Sequence, residues 1–253
     1  MNVELEKHYF NQIDIVKFLE EVGVVDANII LKSIKHFTEE EVAKRDQVIL
    51  NYFGEKGLKR IVEAIVSRML APPLLKADSK ILDVGAGSGY FTINVANLIQ
   101  RHSPQTSFYA MDITPAMLST IVRKTTKITP FLGVAENVKD SIKFARKYVE
   151  VPDKFDVIFS TLTLHHCPDV ERVFRSLKGV LEKDGKVIIV DLCEHPFKEF
   201  MDEMGDVHLG FNPHSIEGMA KRLFKEVYVE RMPGISCTCS GRSADLFIAY
   251  LIV

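Results

Sequence analysis

A chain of 253 residues with 47% hydrophobic content has enough apolar matter for one large domain with an appendage. Its 32 Lys and Arg against 34 Asp and Glu leave a formal charge of −2, which carries no polyanion-binding signature. Four cysteines are too few for a disulfide framework at this size, so reduced thiols are expected.

The opening MNVELEKHYF has charges where a signal peptide needs its apolar region, and the longest apolar run is the closing LFIAYLIV, far short of a membrane span. The expected location is the cytoplasm. Residues 1–78 show helical spacing: IDIVKFLEEVG and QVILNYFGEKGLKRIVEAIVSRML place apolar residues three and four apart, with Thr38 and Glu41 as a capping-box pair between them. Ala71-Pro72-Pro73 ends the helical segment.

After Asp78 the rhythm changes. KILDV, SFYAMD, PFLGVA, FDVIFS and KVIIVD are runs apolar on both faces and separated by helical stretches, which predicts a parallel sheet covered on each side. EVYVERM and ADLFIAYLIV are separated by only about a dozen residues containing Pro233, Gly234 and Gly241, which suits an antiparallel pair. Between Arg123 and Lys147, seven Lys or Arg face only Glu136 and Asp140. A solvated helix face accounts for this stretch, with a nucleic-acid groove as the alternative.

The stretch ILDVGAGSGY (81–90) predicts a buried strand breaking into a tight loop, with a helix over Phe91 to Leu98. In an open α/β sheet the ligand sits outside the carboxyl ends of the strands, where this loop lies. A dinucleotide fingerprint needs its third glycine at position 90, which is Tyr. The pattern is D-x-G-x-G-x-G, whose glycines let a ligand approach the backbone or simply make a turn. The next strand ends at Asp112, 23 residues beyond Gly89, close to where a carboxylate takes two ribose hydroxyls. As an alternative, Asp112 caps the helix after Thr114-Pro115.

Taken together, ILDVGAGSGYFTINVA, AMDITPAML and FDVIFSTLTLHHCPDVERVFRSLKGVLEKDGKVIIVDL make residues 79–253 resemble the class I S-adenosylmethionine-dependent methyltransferases, in the broad group that includes the ubiquinone and menaquinone C-methyltransferases. The resemblance implies a Rossmann-like α/β fold with seven strands in the order 3-2-1-4-5-7-6, the last antiparallel. It implies S-adenosyl-L-methionine as cofactor, S-adenosyl-L-homocysteine as product and a small-molecule acceptor. Residues 1–78 would then be a helical lid and 79–253 the cofactor-binding domain, with 191–224 an insertion that covers the substrate. Carried across, Gly85, Ala86, Gly87 and Gly89 would pass the methionine part, Asp83 would hold its amino group, and Asp112 with Ile113 would take the ribose. Val134 stands where relatives often carry an adenine-reading Asp, leaving Ala135 and Glu136 for that contact.

The fourth strand would deliver Thr161 and Leu162 beside the methyl group, followed by His165, His166 and Cys167. A histidine there would deprotonate a hydroxyl, thiol or acidic carbon, or one histidine caps the helix near Pro168 and the other packs. In 191–224, His195, Asp206 and His208 are pocket candidates, with a structural helix pair as the alternative. If the sheet order holds, Cys167, Cys193, Cys237 and Cys239 share the cofactor edge, where thiolates would suit arsenite or a soft metal. No metal site is assigned. Protein, RNA or arsenite as acceptor, and a non-catalytic cofactor-binding subunit, stand as alternative functions; charge argues against nucleic acid, and an oligomer is left open.

Overall fold

The computed structural model describes residues 5–24, 27–36 and 39–253. A π-helical turn over Glu6–Phe10 precedes α1 (Ile15–Glu21), α2 (Ala27–His36) and α3 (Glu39–Leu70). Asp14 caps α1, accepting the amides of Val16 and Lys17. The Thr38 half of the expected capping box lies outside the described residues. The continuous apolar pattern of α3 conceals a break: Gly54 takes φ 64° and ψ 162°, so two helices meet there at a kink. α3 ends at Leu70, before the two prolines.

The sheet comprises β1 (Lys80–Val84), β2 (Ser107–Asp112), β3 (Ile128–Leu132), β4 (Phe155–Thr161), β5 (Leu181–Leu192), β6 (Glu226–Cys239) and β7 (Arg242–Ile252). Its order is β3-β2-β1-β4-β5-β7-β6, as expected. Strands β1 to β5 pair in parallel, and β7 runs antiparallel to both β5 and β6. The central strands are buried on both faces; Ile81, Leu82, Phe159, Val187 and Ile188 form the middle of the core. Helices α4 (Tyr90–His102), α5 (Pro115–Lys124), α6 (Val138–Ala145) and α7 (Val170–Gly179) connect the parallel strands.

The hairpin departs from the dozen-residue connection. β6 continues through a bulge between Arg231 and Ser236 and reaches Cys239, so only Ser240 and Gly241, both at positive φ, make the turn. Pro233 is tolerated because β6 is the edge strand, and the bulge carbonyls of Pro233 and Gly234 accept two hydrogen bonds from Arg60 of α3, both 2.8 Å. Between β5 and β6 lie α8 (Glu199–Met204) and α9 (Pro213–Lys221). The intervening chain returns along the end of β5, with Phe211 N–H donating to Leu192 O at 2.9 Å. Among the described residues, no helix is long and apolar enough to cross a membrane.

Candidate functional site

A cavity opens beyond the carboxyl ends of β1, β2 and β4. Its floor is the glycine loop. The amides of Gly85 and Ala86 both donate to Met111 O, at 2.8 and 3.0 Å, which folds the loop against the end of β2. Gly85 has φ 75°, and a Cβ there would run into the Thr163 side chain, whose hydroxyl donates to Gly85 O at 3.1 Å. Gly89, at φ 80°, is the N-cap of α4, which begins one residue before the expected Phe91 and runs on to His102.

Asp112 lines the cavity and is 8% exposed. Its Oδ2 accepts the Gly87 amide and its Oδ1 the Thr114 amide, both at 2.8 Å. Asp112 does not cap α5, whose N-cap is Thr114 without a side-chain cap hydrogen bond; its Oδ1 holds the amide of the residue before the helix. Each oxygen keeps a further lone pair for a ligand hydroxyl. Burial raises the carboxyl pKa against the lowering effect of those amides and of the Arg45 charge.

Gly85, Gly87, Ile113, Ala135, Glu136 and Leu162 also lie on the cavity wall, together with Val134. Glu136 Oε1 is buried and has no hydrogen-bond partner. Burial raises the pKa of that carboxyl. Leu162 sits at φ 56°, an unusual backbone for a branched side chain. Ala86, Gly89 and Thr161 are buried and do not line the cavity, and Thr161 Oγ1 is another buried atom without a partner. Asp83 is turned away: it is 2% exposed and accepts a 2.6 Å hydrogen bond from Thr92 Oγ1, and burial pushes its pKa up to about 8.

Sequence reasoning missed the wall residues Ile30 of α2 and Arg45 of α3. Arg45 sits in a run of charges, EEEVAKRD, that reads like any solvated helix face. The neighbouring Asp46 ties α3 to the loop, accepting from Ser88 Oγ at 2.5 Å and from Lys124 Nζ at 2.6 Å.

The two histidines differ. His166 lies on the cavity wall, half-buried, with Nδ1 3.2 Å from Gly205 O. His165 is fully buried, with Nδ1 2.6 Å from Asp191 Oδ1 and Nε2 3.4 Å from Asp206 Oδ1. Burial disfavours its charge, but Asp191 and Asp206 outweigh that and hold its pKa above the ordinary histidine value. Neither histidine caps α7; Asp169 does, accepting the Arg172 amide at 2.9 Å. Asp191 was also missed, although it stands one residue before the end of β5, much as Asp112 ends β2.

The segment after β5 brings its three candidates to this place. The amides of Val207 and His208 donate to His165 O, and His208 Nε2 lies 2.9 Å from Cys167 O, so His208 braces the loop. Asp206 and His195 are 5% and 8% exposed. His195 stacks on Phe197 and meets the Phe200 ring at a tilt of 51°, and its pKa is lowered by burial and by His165.

All four cysteines are free and buried. Cys167 lies on the cavity wall, while Cys237 and Cys239 belong to β6 itself. Burial raises every one of these thiols, Cys239 to about 12. On the basic stretch, Lys143 pairs with Asp140, Arg146 with Asp153 and Lys147 with Glu21, as a solvated face would.

A family model described as a methyltransferase domain matches residues 75–228. The chain is 30% identical over 112 residues to malonyl-[acyl-carrier protein] O-methyltransferase 1 of Ilyobacter polytropus, covering 44% of this chain and 37% of that protein. It spans about half or less of the length of the curated relatives it matches. The fold is similar to that of Haemonchus contortus phosphoethanolamine N-methyltransferase 2, solved with phosphomonomethylethanolamine and S-adenosylhomocysteine (TM-score 0.62, 16% identity, 85% of this chain, 57% of that one). It is also similar to an S-adenosylmethionine-dependent methyltransferase from Aquifex aeolicus (TM-score 0.56, 15% identity, 86% and 99%).

Proposed function

The chain belongs to the methyltransferase-domain family, and on that premise we propose that it transfers the methyl group of S-adenosyl-L-methionine to a small-molecule acceptor. The observation that carries this reading is the pairing of Asp112 with the Gly87 amide on the floor of an otherwise largely apolar cavity. The orphaned Glu136 Oε1 fits the same cofactor, because an adenine amino group supplies the donor that this acceptor lacks.

Asp112 would accept the ribose hydroxyls, and Ala135 and Glu136 would take the adenine edge. Leu162, Thr163 and His166 then border the region left for the acceptor. The sulfonium of the bound cofactor supplies an already activated methyl electrophile. The chain's own task is to align a nucleophile and exclude water, which is worth roughly 7–11 kcal/mol. His166 is the histidine placed to take a proton from the acceptor, because His165 is enclosed by carboxylates. Helices α2 and α3, which bring Ile30 and Arg45 to the wall, would form the lid, and residues 191–224 would cover the acceptor.

Protein or RNA acceptors draw less support, since the basic stretch is engaged in ion pairs. Arsenite draws little, since the thiols are buried and held protonated. Incubation with methyl-labelled cofactor and fractionated cell extract tests the reading. Label in a metabolite fraction with release of S-adenosylhomocysteine is expected; label confined to protein or RNA, or no turnover on any fraction, would overturn it.

A further inference from the structure

Four buried polar atoms, on three side chains that follow β4, β5 and α8, lack hydrogen-bond partners. They are His165 Nε2, both carboxylate oxygens of Asp206, and His195 Nε2. Their side chains are 0%, 5% and 8% exposed and come from three segments distant in sequence, the ends of β4 and β5 and the loop after α8. Natural proteins leave few such atoms unsatisfied, and a cluster of them marks a place where something else binds.

The chemistry of the cluster says what. The carboxylate of Asp191 is fixed by the amides of Thr163, Leu164 and Leu192, at 3.1, 2.8 and 2.7 Å, and faces His165 Nδ1 at 2.6 Å. When His165 acts as a ligand, that contact holds its remaining proton on Nδ1 and presents Nε2 toward Asp206. A carboxylate behind a ligating imidazole is the usual support of a metal-bound histidine. His165 Nε2 and Asp206 Oδ1 are 3.4 Å apart. Two ligands each about 2.1 Å from a tetrahedral ion stand roughly 3.4 Å apart, so the pair already has the right opening. One ligand atom from each of His165, His166 and Asp206 lies within 4.8 Å of the others. As a hydrogen bond, in contrast, 3.4 Å is long, and it would still leave Asp206 Oδ2 and His195 Nε2 unpaired.

We propose that His165, His166 and Asp206 bind one divalent transition-metal ion of the Zn²⁺ type, with Asp191 positioning His165. Two imidazoles and one carboxylate suit such ions and leave a coordination position open. His166 belongs to the cavity wall as well, so the open position is at the acceptor end.

Resting on the transferase reading above, this assigns the acceptor to molecules that ligate metal through a hydroxyl or thiol. With the metal bound, His166 is a ligand in place of the base described above, and the coordinated acceptor loses its proton to solvent. A lone pair on its oxygen or sulfur then forms the bond to the methyl carbon, while the carbon–sulfur bond of the cofactor breaks and its electron pair stays on sulfur.

The test is to strip the protein with chelator, titrate it with Zn²⁺ by calorimetry and with Co²⁺ by visible absorption, and measure S-adenosylhomocysteine binding on the same stripped sample. One equivalent of metal is expected, with Co²⁺ bands of a nitrogen and oxygen site and without thiolate charge transfer. Asp206→Asn and His166→Ala should each weaken binding by at least about 100-fold, and Asp191→Asn by about 10–100-fold. The metal site is overturned if natively melting protein takes up no stoichiometric metal, if Asp206→Asn binds as tightly as the parent, or if a thiolate band appears. Retained S-adenosylhomocysteine binding without metal uptake sinks the metal site alone; metal uptake without S-adenosylhomocysteine binding upholds it and sinks the cofactor reading.

Discussion

Asp112 Oδ2 accepts the Gly87 amide at 2.8 Å, so one side chain at the end of β2 fixes the loop that follows β1. Its second oxygen fixes Thr114, and the whole group stands on the cavity wall. Asp112→Ala should lower S-adenosylhomocysteine affinity by more than about tenfold, because a charge-assisted contact is lost and the loop amide is left without its acceptor. Calorimetric titration measures it. Unchanged affinity in folded protein would remove Asp112 from the cofactor site.

Gly85 carries two constraints at once, its positive φ and the Thr163 side chain packed where a Cβ would go. Gly85→Ala is expected to cost about 2–4 kcal/mol in urea denaturation. Adding Thr163→Ala removes the two nearest atoms, both at 2.2 Å, but keeps the Thr163 Cβ at 2.7 Å, so it relieves the collision in part and should recover about 1 kcal/mol over the backbone penalty of about 1–2 kcal/mol. Should the double variant be no more stable than the single one, the collision is not what excludes a side chain at this position.

Asp83 predicts a pH dependence. Its pKa in the fold is pushed from 3.8 up to about 8, chiefly by burial, so the charged form is disfavoured in the native state. A raised folded pKa gives stability that is complete below the unfolded value and is lost as pH rises through the folded one. Asp83→Asn keeps an acceptor for Thr92 and cannot ionise. Relative to the parent, it should therefore gain stability steadily between pH 4 and 8, read from urea denaturation of cofactor-free protein. Parallel profiles over that window would mean that Asp83 does not carry this proton.

What was legible in the sequence follows from what is local. The strand order, the glycine loop and Asp112 are carried by short patterns: buried runs, alternating glycines and an acid that closes a strand. The β6–β7 turn was misjudged because Pro233 and Gly234 look like a terminator, whereas Arg60, 173 and 174 positions away, holds their carbonyls within a bulge. Arg45 and Asp191 were missed for a related reason. A charge in a helix run, or at a strand end, acquires meaning only from its partners, and these lie on elements far along the chain. His165, His166 and Asp206 are named singly in the sequence, but only folding brings a ligand atom of each within 4.8 Å of the others.

Lys186, on β5 and 2% exposed, gives the last prediction. Its ammonium donates to the carbonyls of Met69, Ala71 and Pro73 at 2.6, 2.6 and 2.8 Å, with Arg68 O at 3.2 Å. These are the orphan carbonyls at the end of α3 and in the turn beyond it, where a cation also complements the helix dipole. The interaction joins the N-terminal helices to the sheet centre. Lys186→Met keeps the aliphatic bulk but leaves several buried acceptors unpaired, so a loss of about 3 kcal/mol is expected. Urea denaturation measures the loss, and limited proteolysis should show earlier cleavage near Ala71–Pro73. A change under about 1 kcal/mol with an unaltered digestion pattern would show that water serves these carbonyls equally well, and that α3 is anchored elsewhere.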